Sequence, residues 1–127
     1  MEFIMLFQPQ INYLTNINKS DKLKFITRKS YGFCVFFKVL ENEYINSELG
    51  FTDIHNSLVG ERPTLQSLTL YVKNSSQLYA INASTIKKNK KVITVRNEAK
   101  EEFKNVYNIY YCQMKLHEKH ISDFLKS

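Results

Sequence analysis

Helix-breaking residues are scarce in this chain, and its C-terminal part has none. Glycine occurs three times and proline twice among 127 residues, and none lies beyond Pro63. Residues 97–127 can therefore run as helix without a programmed interruption. Cysteine is limited to Cys34 and Cys112, too few for a disulfide framework and without metal-site spacing. Both read as small core residues in a reducing compartment. No apolar run approaches the roughly 20 residues needed to cross a bilayer, so no membrane association is expected. The opening Met1-Glu2-Phe3-Ile4-Met5-Leu6-Phe7 is too short, and too acidic at its second position, for a signal peptide. A cytoplasmic location follows as the expectation. Walker and G-x-G-x-x-G loops are missing, which argues against nucleotide-dependent chemistry, and no cofactor is expected. No helix-turn-helix with a clear recognition helix, internal repeat or low-complexity segment stands out.

What is present fits one domain spanning residues 1–127. Hydrophobic residues make up 43% of the chain and charged ones 24%, enough apolar surface for a core and too little charge for disorder. Eighteen Lys and Arg against twelve Asp and Glu give a net charge of +6. That balance favours polyanionic partners, although simple solubility would also account for it.

Residues 31–40, Tyr-Gly-Phe-Cys-Val-Phe-Phe-Lys-Val-Leu, are aromatic, β-branched and almost continuously apolar. They predict a buried central strand, with a polar turn at 41–43 and a return strand beginning at Tyr44 and Ile45. Residues 3–7 suggest another buried strand, and 11–17 a helical turn. Residues 50–63 are polar and breaker-rich, a long loop. Alternation at 68–72 predicts a strand, a turn at 74–76 leads to a return through 77–82, and 92–95 add a further strand. The expected fold class is α+β: a small antiparallel curled sheet or SH3-like barrel with a long C-terminal helix. Asn97 is the candidate N-cap of that helix. Apolar side chains from Ala99 to Phe124 recur at steps of three or four, with a break expected near Asn108 or His117.

Three groups of residues carry candidate chemistry. Lys87-Lys88-Asn89-Lys90-Lys91 places four lysines in five positions, a pattern that neutralises phosphates or simply forms a solvated turn. Arg28, Lys29, Arg62 and Arg96 would enlarge the patch, and Tyr31 or Tyr44 would stack on a base. The segment Thr52-Asp53-Ile54-His55-Asn56-Ser57 gathers groups able to move a proton or hold a phosphate. His117 and His120 share a helical side but lack further ligands, so no metal site is expected; His117 falls on the apolar face as a core residue.

The order of elements resembles the ToxN/AbiQ family of type III toxin–antitoxin endoribonucleases. The resemblance runs through residues 3–14, the segment from Arg28 to Ile45, residues 67–82 and the tail. It implies an SH3-like barrel, contact with RNA and an antitoxin RNA as partner. The family's Thr-Ser-Pro-Lys-like segment falls on Thr52-Asp53-Ile54-His55, where only Thr52 is identical. On that basis His55 would transfer a proton while Thr52 and Lys29 stabilise the phosphate, without a metal. Arg28, Tyr31, Lys87, Lys88, Lys90, Lys91 and Arg96 would bind the nucleic acid. A different class remains open: a non-catalytic protein- or nucleic-acid-binding accessory protein from a virus or mobile element. A small structural subunit is a third reading. The C-terminal helix would offer a face to a protein partner.

Overall fold

The computed structural model describes residues 6–60 and 62–127. Within them the chain is mainly helical: α1 (Gln8–Lys19), a 3-10 segment (Leu23–Arg28), α2 (Gly32–Tyr44), α3 (Phe51–Ser57) and α4 (Leu65–Asn74). There follow β1 (Tyr79–Ala83), β2 (Lys91–Val95), α5 (Asn97–Leu116) and α6 (Glu118–Lys126). None of these helices is long and apolar enough to cross a membrane.

The α+β expectation of a curled sheet or SH3-like barrel is corrected. The only sheet among the described residues is the two-stranded β1–β2 hairpin, antiparallel from Tyr79 opposite Val95 to Ala83 opposite Lys91. One further backbone bond, from Ile93 N–H to the Leu49 carbonyl at 2.9 Å, ties the segment before α3 to this hairpin.

Residues 31–40 form most of α2 rather than a strand. Gly32, Val35, Phe36 and Val39 are buried while Cys34 and Phe37 are exposed, a spacing of three and four that only a helix turns to one side. The expected return strand at Tyr44 and Ile45 is the end of that helix, and the polar turn at 41–43 is its last full turn. Residues 68–72 belong to α4, where Leu68, Tyr71 and Val72 face inward. Thr64 starts that helix by accepting a hydrogen bond from Ser67 N–H at 3.1 Å, satisfying an otherwise orphaned donor. The expected long loop at 50–63 contains α3, whose first turn is closed by Gly50 N–H donating to the Asp53 carboxylate at 3.0 Å.

Other expectations meet mixed outcomes. The helical turn at 11–17 lies within α1, and strands occur in both 77–82 and 92–95. The tail is helical from Asn97 and breaks at His117, which separates α5 from α6. The strand expected at 3–7 falls mostly outside the described residues. Cys34 and Cys112 are exposed and unpaired, not core residues.

The core lies where α2, α4, the hairpin and the start of α5 converge. Phe36 of α2 meets Phe103 of α5 edge to face, with ring centroids 4.7 Å apart, and Ile54, Leu68, Leu78 and Ile93 are fully or almost fully buried around them. α1 packs on α5 through Tyr13, whose ring lies 4.8 Å from that of Tyr110. Burial pushes the Tyr13 hydroxyl up to about 12, with neighbouring Tyr107 and Tyr110 adding to the effect. Beyond this core, α1, α5 and α6 leave large apolar side chains in the open, including Ile11, Ile109, Tyr111, Leu116 and Leu125.

Candidate nucleic-acid interface

Two short helices joined by a tight connection, followed by a β-hairpin, organise the basic surface. α3 and α4 are linked through residues 58–64. The connection is held by His55, whose ring Nε2 lies 2.8 Å from the Pro63 carbonyl. α4 is then seated by its inward face. The Tyr71 hydroxyl donates to the Phe25 carbonyl at 2.8 Å, and burial pushes its pKa up to about 12. With Leu68, Tyr71 and Val72 turned inward, the opposite side of α4 presents Gln66, Leu70, Lys73 and Asn74 to solvent.

The hairpin carries the four lysines at its tip, and that turn is fastened. Glu48, just before α3, accepts hydrogen bonds from the Ser84 hydroxyl and from Thr85 N–H and its hydroxyl. These bonds, Ser84's first, hold the partly exposed Glu48 carboxyl below its usual value. Lys90 Nζ meets the Asp53 carboxylate of α3 at 3.0 Å. The Gly50 N–H and then Lys90 lower the Asp53 pKa. Asn89 completes the turn at φ 70°, a left-handed conformation that asparagine tolerates better than most residues. Lys87, Lys88 and Lys91 are exposed, so three ammonium groups project from a turn whose lower half is tied to α3.

The remaining candidate residues are distributed differently from the expectation. Arg28 lies over the Phe25 ring, 4.3 Å from its centroid, and is exposed together with Lys29. Tyr31 packs edge to face on Tyr71 at 5.5 Å, so its ring supports α4. Arg96 donates through Nε to the Ser76 carbonyl at the foot of the hairpin. Thr52 and His55 sit on α3, whereas Lys29 follows the 3-10 segment, and no hydrogen bond or ion pair among the described residues joins Lys29 to either. His117 is only half-buried, with Nδ1 at 2.9 Å from the Gln113 carbonyl.

Sequence reasoning missed Gln66 and Leu70, having read 68–72 as a strand. The available signal was Thr64, three residues before Ser67, followed by apolar residues at 68, 71 and 72: a helix start and one helical face.

A groove of about 950 Å³ opens between α2 and α5, walled by Phe37, Leu40, Tyr44, Phe103, Tyr107 and Tyr111. At its edge Glu43 pairs with Lys100 at 3.3 Å and accepts from Val95 N–H of β2 at 3.1 Å. One carboxylate thus links α2, α5 and the hairpin.

No protein-family model matches the chain, and no curated protein sequence does. Solved structures do match it. The chain is similar to a mutant of MepR from a multidrug-resistant S. aureus clinical isolate, with 14% identity and a TM-score of 0.58. That match covers 99% of this chain and 96% of the other. YusO protein from Bacillus subtilis matches with 17% identity and a TM-score of 0.56, over 95% and 86% of the two chains. The chain has a winged-helix fold. The likeness spans nearly the whole molecule and overturns the resemblance to ToxN/AbiQ toxins, which requires a barrel that the described residues do not form. With it go the endoribonuclease reading and the antitoxin RNA partner. α3 and α4, expected as a loop and a strand, are two consecutive helices.

Proposed function

We propose that this protein binds duplex DNA, with α4 entering the major groove and the lysine-tipped hairpin lying against the neighbouring backbone. The observation that carries the reading is the exposed outer face of α4, the second helix of a pair read as a helix-turn-helix, with Lys87, Lys88 and Lys91 exposed on a hairpin that Lys90 ties to α3. In helix-turn-helix proteins the second helix takes that position, and its N-terminal residues meet base edges. Arg28, Lys29, Arg62 and Arg96 contribute positive charge around it. The non-catalytic nucleic-acid-binding alternative from the sequence is thereby narrowed to duplex DNA. The whole chain acts as one domain, in the cytoplasm where DNA is accessible.

The apolar side chains left open on α1, α5 and α6 fit contact with a second copy of the chain. Pairing would present two α4 helices to successive turns of the duplex, as symmetric sites require. Fluorescence anisotropy with duplex DNA, single-stranded DNA and RNA of matched length tests the function. Duplex should bind tightest, with affinity falling steeply as salt rises. Equal affinity for all three, or a preference for RNA, would refute the reading.

A further inference from the structure

The outer face of α4 has an unusual composition for a surface that reads bases. No arginine occurs between Arg62 and Arg96, so neither α4 nor the hairpin tip offers the guanidinium fork that most often reads guanine. Near the start of α4 the polar side chains are largely committed. The Thr64 hydroxyl donates to Ser67 Oγ at 2.9 Å, and the Thr69 hydroxyl turns back to the Leu65 carbonyl at 2.8 Å. Gln66 is exposed, and its amide has no hydrogen-bond partner among the described residues. One turn further along the same face stands Leu70, 58% exposed, an apolar side chain that no neighbour covers. Lys73 follows toward the end of the helix, beyond the residues that first meet the base edges.

These two side chains match one base pair type. A glutamine amide donates to adenine N7 and accepts from adenine N6 in a bidentate pair, and a leucine in the major groove is complementary to the thymine methyl. The hairpin points the same way. Its exposed lysines, lying against the backbone, would border the narrow minor groove of A·T tracts, where the negative potential is strongest. We propose that the preferred duplex is A·T-rich, with Gln66 reading adenine and Leu70 a neighbouring thymine methyl. This inference rests on the duplex-binding reading and adds its sequence class.

The test uses the full chain and duplexes of equal length at one salt concentration: one A·T-rich, one G·C-rich, and A·T-rich duplexes carrying 7-deazaadenine or deoxyuridine. The first analogue removes adenine N7 and the second removes the thymine methyl. The A·T-rich duplex should bind at least about tenfold tighter than the G·C-rich one. Each analogue should weaken wild-type binding, 7-deazaadenine should have no further effect on Gln66→Ala, and deoxyuridine none on Leu70→Ala. Both positions are exposed, so the variants should keep the wild-type melting temperature. Equal affinity for the two compositions, or analogue effects that persist undiminished in the variants, would overturn the inference while leaving duplex binding intact. Failure to bind any duplex at low salt would remove both.

Discussion

Replacing Gly32 with alanine sets three effects against one another, and their magnitudes decide the outcome. Gly32 opens α2 and its N–H donates to the Lys29 carbonyl at 3.0 Å. A Cβ there would lie 1.7 Å from the Ile26 carbonyl oxygen and 3.1 Å from the Tyr71 hydroxyl. The first neighbour is backbone and cannot rotate away, so α2 or the 3-10 segment must move by roughly 1.5 Å or more to restore van der Waals contact. Overpacking of this kind costs about 1–3 kcal/mol. The shift also pulls Tyr71 from the Phe25 carbonyl, and a buried hydroxyl left unpaired costs a further ~1–3 kcal/mol. Alanine's better backbone propensity returns only about 0.5–1 kcal/mol. The net loss is about 1–5 kcal/mol, and at roughly 4 °C per kcal/mol for this chain length Tm should fall by about 4–20 °C. Thermal and urea unfolding followed by circular dichroism would measure it. Gly60→Ala is the control. That residue has φ 88° with nothing within 4 Å of an added Cβ, so only backbone strain of about 1–2 kcal/mol applies. A Gly32→Ala variant melting within about 3 °C of wild type would refute the packing argument. Because Tyr71 belongs to α4, the same variant should also lose DNA affinity at temperatures where it remains folded.

The hairpin lysines should act through phosphate neutralisation: replacing Lys87, Lys88 and Lys91 together with alanine should flatten the log–log salt dependence of duplex binding by about 2.7, and an unchanged slope in anisotropy titrations would make the turn merely solvated. His55→Ala should cost about 1 kcal/mol by freeing the Pro63 carbonyl, and amide hydrogen exchange should report faster opening across residues 58–64. The depressed carboxyls Asp53 and Glu48 stabilise the hairpin's attachment above their unfolded values near pH 4. That contribution is fully present at neutral pH and is lost as pH falls through the lowered folded-state values. NMR of the 84–91 turn should therefore show loosening only in acid, and loosening that begins near pH 6 would contradict the assignment. Changing Ile109 and Leu116 to glutamate should shift sedimentation from dimer toward monomer; a wild-type chain that sediments as a monomer at micromolar concentration would rule out the pairing.

The strands and helices of this molecule were unequally legible in its sequence, and the reason is where the second apolar face goes. The hairpin and α5 could be read because their buried residues keep each element's own period: Ile93 and Val95 are buried two apart in β2, and Ala99 and Phe103 four apart in α5. α2 could not be read this way, because its outward positions are apolar as well. Phe37 and Tyr44 line the groove against α5, which fills in the gaps of the helical pattern and leaves a run that resembles a strand covered on both faces. Length was the remaining clue, since 13 residues exceed a typical buried strand. At α4 the same confusion traces to one exposed apolar residue. Leu70 interrupts the polar side of the helix and creates a false alternation with Leu68 and Val72, although only the last two are buried. A surface that meets thymine methyl groups must carry an apolar side chain where folding alone would place a polar one. The local pattern failed at the residue proposed to touch the duplex, and that failure is itself an argument for placing the interface there.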